Sequence, residues 1–151
     1  MPAPYQGSCH CGAVTYEVLG EPLTCYVCHC RQCQQQSSSA FGMSLRIKKA
    51  DFRLLSGRLG KKVYMTDSGR EKTGAFCTEC GSRIYHDAAA SPDTMNIKPG
   101  TLEDGGQFAP VAHIWVKSKM PWVTIPEDTL VYDTQPERFG DLVRAWAERN
   151  G

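Results

Sequence analysis

The sequence predicts a mainly β protein with one C-terminal amphipathic helix, and two observations lead to this prediction. Short segments rich in β-branched and aromatic residues recur along the chain, separated by Gly, Pro, Ser or Asp. Apolar residues with the spacing of a helix occur only near the C-terminus. The eight cysteines fall into tightly spaced groups, which indicates thiolate metal ligation rather than a disulfide framework.

The predicted strands are short, rich in β-branched and aromatic residues, and bounded by Gly, Pro, Ser or Asp. In chain order they are "GAVTYEVLG", "FGMSLRIKK", "FRLLSG", "KKVYMTD", "SRIYHD" and "VAHIWVK".

The predicted helix covers about residues 135–149. Its apolar residues recur at i, i+3, i+4 and i+7, namely Phe139, Leu142, Val143 and Trp146. Thr134 and Glu137 resemble a capping box. The apolar stripe is expected to pack on the core, with a dimer face as the alternative, so both a monomer and a homodimer are compatible with it.

Length and charge restrict the class of protein. With 151 residues, 41% of them hydrophobic, and no charge-rich block, residues 1–151 are expected to form a single domain. The N-terminus resembles no signal peptide and no window is apolar enough to cross a bilayer, so we expect a cytoplasmic protein without a membrane partner. Seven ligating thiolates and two zinc ions would take the formal net charge of +1 to about −2, which disfavours nucleic acid as a partner.

One group of cysteines has the spacing of a closed structural metal site. Cys77 and Cys80 form a C-x-x-C turn, and Gly81 permits a left-handed turn after it. Cys9 and Cys11 lie two residues apart in an extended segment, so both thiols point to one side and His10 to the other. Together these four thiols predict a structural zinc site; a four-thiolate iron site is the alternative.

A second group of cysteines has two readings. Cys28, Cys30 and Cys33 form C-x-C-x-x-C, and three protein ligands with an open fourth position are typical of catalytic zinc. Cys25 forms a further C-x-x-C with Cys28, so a closed four-thiolate site without catalytic function is also possible. Spacing alone leaves both readings open.

Polar side chains near the second group are candidates for catalysis or substrate binding. His29 lies between two candidate ligands and has either an acid–base role or a packing role. His113 and Trp115 are expected on one face of a strand, facing either substrate or core. Arg31 and Arg83 are each suited to a substrate carboxylate or to a surface ion pair.

Several segments resemble the glutathione-dependent formaldehyde-activating (GFA) family of zinc proteins. The similarity covers most of the chain and rests on "GSCHCGAVTYEV", "CHCRQCQ", "SAFG", "FCTECGSRIY", "IKPGTLED" and "AHIWVKSKMPW". The resemblance implies an Mss4-like fold, which is a zinc-bound complex β fold of short antiparallel strands, with two zinc ions per chain. It places the structural ion on Cys9, Cys11, Cys77 and Cys80, and the catalytic ion on Cys28, Cys30 and Cys33. A thiol at Cys25 is not part of the family pattern.

The resemblance also implies a function. The expected activity is that of a zinc-dependent carbon–sulfur lyase acting on a thiol–aldehyde adduct such as S-hydroxymethylglutathione, or on a related small thiol. The alternative is a non-catalytic, zinc-stabilised protein-binding module in which Cys25 closes the second site. Function resides in such sites rather than in the fold.

Overall fold

The computed structural model describes residues 2–151 and confirms a mainly β protein. Its strands are β1 (Tyr5–Ser8), β2 (Thr15–Val18), β3 (Thr24–Cys28), β4 (Gly42–Lys48), β5 (Phe52–Ser56), β6 (Leu59–Met65), β7 (Glu71–Cys77), β8 (Arg83–Ala88), β9 (Thr94–Ile97), β10 (Ala112–Ile114) and β11 (Leu130–Val131). Two α-helices, α1 (Arg31–Ser37) and α2 (Gly140–Asn150), complete the regular structure together with short 3-10 turns. Within residues 2–151, neither helix has the length and apolar character that crossing a bilayer requires.

The C-terminal helix is confirmed, but its predicted start at about residue 135 is wrong. The helix α2 begins at Gly140, and Phe139 precedes it without a side-chain cap, so the capping box predicted at Thr134 is wrong too. The carbonyl of Thr134 instead accepts the N–H of Trp115, and the Gln135 side chain accepts the Trp115 indole N–H. These contacts hold Thr134 and Gln135 outside the helix. Pro136 also disfavours helical backbone in the residue before it, so the helix begins later than predicted.

The chain divides into two compact units. The first contains the chain up to Pro22 together with Arg46–Gln107, and the second contains Leu23–Leu45 and Phe108–Gly151.

The first unit is built from antiparallel strands. In one sheet β2 lies between β1 and β5, and Tyr16 and Val18 of β2 are fully buried. The strands β6 to β9 form a meander in which each strand pairs with the next along the chain. A β-bulge between Ala75 and Phe76 shifts the register of β7 against β8, just before Cys77.

The second unit contains parallel pairing that the sequence did not predict. In the order β11, β10, β3, β4, the strand β10 runs parallel to both β11 and β3. Every residue of β3 is buried, as expected for a strand covered on both faces. The helix α2 contributes to its cover, since the Thr24 hydroxyl donates to the Leu142 carbonyl at 2.9 Å and Tyr26 meets Phe139 edge to face.

Candidate metal centres

Four thiols of the first unit meet in what we call the first cysteine cluster. It consists of Cys9, Cys11, Cys77 and Cys80, whose Sγ atoms all lie within 4.8 Å of one another. The Cys9 and Cys11 sulfurs are 3.6 Å apart, and those of Cys11 and Cys77 are 3.9 Å apart. Tetrahedral zinc with sulfur ligands requires about 3.8 Å between sulfurs, so these thiols fit that ion.

Tight turns present the thiols of the first cysteine cluster. The N–H of Gly81 donates to the Cys77 carbonyl at 2.9 Å, and Gly81 has a φ of 79°. The predicted left-handed turn is thereby confirmed, and it bends the chain so that Cys77 and Cys80 point to the same place. Gly12, with a φ of 83°, closes a comparable turn onto the Cys9 carbonyl.

Hydrogen-bond donors surround the sulfurs of the first cluster. Backbone N–H groups of Val14 and Glu79 donate to the sulfurs of Cys9 and Cys77 at 3.2 and 3.3 Å. The Ser82 hydroxyl and N–H lower the pKa of Cys80 to about 5. Donors of this kind favour the thiolate, which is the form that binds metal.

Three thiols of the second unit form the second cysteine cluster: Cys28, Cys30 and Cys33, with all Sγ atoms within 4.8 Å of one another. Cys28 ends β3, and Cys30 is the N-cap of α1, with extended backbone angles of −65° and 156°. Cys33 lies in the first turn of α1. A Cβ on Gly42 would meet the Cys33 Cβ at 3.2 Å, so β4 lies directly against this ligand candidate.

The thiols of the second cluster shift one another's pKa values. Hydrogen bonds from Cys28 and Cys33 lower the pKa of Cys30 to about 2, whereas hydrogen bonding to Cys30 and Cys33 raises the pKa of Cys28 well above its usual value. Three thiolates this close repel one another unless a cation lies among them. The donor set therefore fits a soft divalent ion such as zinc.

Comparison with known proteins agrees with this arrangement. The model of the family described as "Glutathione-dependent formaldehyde-activating enzyme" matches residues 4–118, which include both cysteine clusters. The chain belongs to the GFA family.

One protein is similar to this GFA protein in sequence, and another is similar in structure. A protein of Halomonas elongata, named "Putative glutathione-dependent formaldehyde-activating enzyme", is 25% identical over 126 residues, which are 80% of each chain. The crystal structure of a Rhodobacter sphaeroides protein has a TM-score of 0.52 and 21% identity, and the alignment covers 84% of this chain and 98% of that one. The second likeness supports the fold alone.

Cys25 lies outside the second cysteine cluster of this GFA protein. It is fully buried, its thiol donates to the Phe108 carbonyl at 3.5 Å, and burial raises its pKa to about 12. Cys25 and Cys28 are three residues apart on β3, so their side chains leave opposite faces of the strand. This alternation explains why a C-x-x-C spacing does not bring the two thiols together here.

His29 belongs to a buried histidine pair. Its Nε2 lies 2.9 Å from Nδ1 of His113, and its ring also meets Phe41 edge to face. Burial, followed by the nearby charges of His113 and Lys119, lowers the pKa of His29 to about 4. The prediction that His113 and Trp115 share a strand face is wrong, because β10 ends at Ile114 and Trp115 has a φ of 58°.

Gln34 supports the second cluster and was not predicted from the sequence. Its buried amide donates to the carbonyls of His29 and Ser118, both at 2.9 Å, and accepts from Arg31 at 2.6 Å. The run "QQQ" gave no sign that its first residue is buried while the next is exposed.

A recess of about 430 Å³ lies beside α1, lined by Arg31, Gln34, Gln35, Ser38, Ser39, Ala40, Met120 and Trp122. The residues that line it from α1 lie on one face of the helix, and Cys33 lies about 150° around the helix from their mean direction. The recess therefore lies on the opposite face of α1 from Cys33.

Proposed function

We propose that this GFA protein is a zinc-dependent carbon–sulfur lyase acting on a thiol–aldehyde adduct, with S-hydroxymethylglutathione as the leading candidate. In this proposal Cys28, Cys30 and Cys33 hold the catalytic ion, and the four thiols of the first cysteine cluster hold a structural ion. Membership of the family supports the reaction class. The observation that carries the assignment is the gathering of three thiols in the second cluster while Cys25 turns away.

The two clusters suit different roles because they offer different numbers of ligands. Four thiols complete a tetrahedral shell, whereas three leave one position for a substrate sulfur or water. Bound zinc would supply a positive charge that keeps a substrate thiol ionised at neutral pH and polarises a carbonyl.

The protein's own part in this proposal is to hold the three thiols in place. Gln34 ties the backbone of His29 to that of Ser118, which fixes the segment between Cys28 and Cys30. The pairing of the His29 side chain with His113 holds the same segment. We assign His29 a positioning role, since its Nε2 already faces His113.

The first cluster is proposed to stabilise the fold. Cys11 and Cys77 are 66 residues apart in sequence, so an ion between them would link distant parts of the first unit. Such a site exists only in the folded chain, and its binding free energy then contributes to folding.

The alternative, a protein-binding module with a closed second site, requires the Cys25 thiol to join the other three. That thiol is fully buried and bound to the Phe108 carbonyl, and this location favours the open site.

Nuclear magnetic resonance of ¹³C-formaldehyde with glutathione tests the proposed activity. Exchange between the aldehyde and its hydroxymethyl thioether should be faster with the protein than without it. Cys33→Ser should remove this acceleration, and Cys25→Ser, a matched substitution outside the cluster, should retain it. An exchange rate equal to the protein-free rate, or one unchanged by Cys33→Ser, would rule out this reaction for the second cluster.

A further inference from the structure

The recess beside α1 contains a guanidinium that is anchored to a buried amide. Nη1 of Arg31 donates to Oε1 of Gln34 at 2.6 Å. Gln34 is only 5% exposed, and its NH₂ group donates to the carbonyls of His29 and Ser118. Because rotation of the amide would break all three hydrogen bonds, Gln34 is fixed. Arg31 is therefore held in place although it is an exposed residue.

An indole lines the same recess and is held out in water by an ordered turn. Trp122 is 73% exposed. The N–H of Val123 donates to the Met120 carbonyl at 3.0 Å, and Nζ of Lys119 donates to both carbonyls of this pair, at 3.2 Å to Met120 and 2.8 Å to Val123. Pro121 restricts the backbone just before the indole. The exposure of Trp122 is thus a property of a well-supported turn, and exposed tryptophans are enriched where proteins bind partners.

The end of α1 adds polar groups to the recess. Ser38 has a φ of 54°, a left-handed conformation that is uncommon for a residue with a Cβ. Its N–H donates to the carbonyls of Gln34 and Gln35, which ends the helix. The chain then continues along the recess through Ser39 and the buried Ala40. The recess therefore offers hydroxyl groups next to an apolar surface.

The charge of the recess indicates what kind of ligand it would accept. Of the described residues that line it, Arg31 alone is charged and none is acidic. The ion pairs within residues 2–151 do not include Arg31. The Nε and Nη2 edge of a guanidinium binds a carboxylate through two parallel hydrogen bonds. The indole, in contrast, offers a flat apolar face on which another ring can stack.

We propose that the recess binds a small aromatic carboxylate, with the carboxylate on Arg31 and the ring on Trp122. The volume of about 430 Å³ lies in the usual range for small-molecule sites, about 300–1,000 Å³. The site is on the opposite face of α1 from Cys33 and does not depend on the proposed lyase reaction.

Titration of the zinc-loaded protein with 2-naphthoate, followed by ¹H–¹⁵N nuclear magnetic resonance, tests the proposal. The indole N–H of Trp122 and the Nε–H of Arg31 should shift saturably, with a Kd below about 1 mM for a ligand of this size. Two other indoles serve as internal references. The Trp115 N–H donates to Gln135 at 3.1 Å, and Trp146 is buried, so both should shift far less.

Two related compounds separate the contributions of charge and ring. 2-Naphthylmethanol keeps the ring without the charge and should bind at least about 10-fold more weakly, because charge-assisted hydrogen bonds are lost. Cyclohexanecarboxylate keeps the charge without the aromatic ring and should bind about 3-fold to 10-fold more weakly. Equal affinity of either compound and 2-naphthoate would overturn the proposed recognition.

Substitutions at exposed positions test the two contacts without disturbing the core. Arg31→Ala should raise the Kd for 2-naphthoate at least about 10-fold, and Trp122→Ala about 3-fold to 10-fold. Arg144→Ala removes an exposed cation from α2 and should leave the Kd unchanged. Failure of 2-naphthoate to saturate, or an unchanged Kd in Arg31→Ala or Trp122→Ala, would overturn the proposal. Trp122 shifts that follow protein concentration instead of 2-naphthoate would also overturn it, since they would assign the recess to a second copy of the chain.

Discussion

The N–H of Cys33 donates to Sγ of Cys30 at 3.4 Å, so a candidate metal ligand is also the N-cap of α1. N-cap side chains normally accept a hydrogen bond from the second or third residue of the helix, and here sulfur takes the place of the usual oxygen. Cys33 is that third residue, and its thiol leaves the same first turn. The start of α1 therefore brings two thiols of the second cluster together, and Cys28 joins them from the end of β3.

The protein should contain two zinc ions per chain, because each cysteine cluster has enough thiols for one ion. Elemental analysis of protein purified without added metal would measure this, with iron counted in the same run. Cys33→Ser should reduce the content to about one ion per chain. A wild-type content of one or fewer would contradict the two-site scheme.

Much of the fold could be predicted from the sequence because its strands are short runs rich in β-branched and aromatic residues, bounded by turn-forming residues. The helix α1 was missed because "RQCQQQS" has only seven residues and no apolar stripe. The start of α2 was misplaced because Thr134 and Gln135 are held by Trp115, a contact that local pattern does not reveal. Errors of this kind arise where distant residues determine the backbone.

The candidate sites, like the fold, could be predicted only where local sequence determines them. Spacings of two and three residues bring thiols together locally, so both clusters could be anticipated before their geometry was known. The position of Cys25 could not be predicted from spacing. Its C-x-x-C spacing with Cys28 is typical of a turn, whereas the chain is extended there. The buried contact between His86 and Asn96 likewise depends on the register of β8 against β9, which no local pattern specifies.

Losing a ligand of the first cluster should cost more stability than losing one of the second. Cys77→Ser removes a thiol that is 66 residues from Cys11 in sequence, and with it the linkage between metal binding and folding. We expect a loss of several kcal/mol, comparable with the whole stability of about 5–15 kcal/mol, and a much smaller loss for Cys33→Ser. Urea unfolding monitored by circular dichroism would compare them. Equal losses would show that the clusters do not divide their roles in this way.

Crowding beside Cys33 should weaken metal binding at the second cluster. A Cβ at Gly42 would lie 3.2 Å from the Cys33 Cβ, and Cys33 has little room to yield if it is held by an ion. Gly42→Ala should lower zinc affinity by about 10-fold to 100-fold, as other changes next to metal ligands do. Competition with a chromophoric chelator measures the affinity.

A matched control is Gly106→Ala, where an added Cβ meets nothing within 4 Å. It should leave both affinities unchanged. If Gly42→Ala and Gly106→Ala bind zinc equally well, contact between β4 and the second cluster has no influence on the ion.

The Cys25 thiol should be irrelevant to metal coordination in the resting protein. With four thiols at the first cluster and three at the second, X-ray absorption at the zinc edge should report about 3.5 sulfurs per ion. Cys25→Ser should give the same number, since this side chain points to the Phe108 carbonyl. Four sulfurs per ion, decreasing in Cys25→Ser, would instead support the closed site and the protein-binding alternative.

Buried His86 should make the protein lose stability in mild acid. Its pKa is held well below the usual value in the folded state, chiefly by burial. In mild acid the imidazole is therefore protonated in the unfolded chain but not in the folded protein. Stability is therefore fully present above the unfolded pKa of about 6.5 and decreases as the pH falls below it towards the folded pKa.

Thiolate protonation at the clusters acts in the same direction, so the contribution of His86 has to be isolated by difference. His86→Gln should flatten the dependence of unfolding free energy on pH between about 6.5 and 5, whereas His10→Gln, with an exposed side chain, should not. Parallel curves for the wild type and His86→Gln in urea unfolding would show that this histidine is not the titrating group.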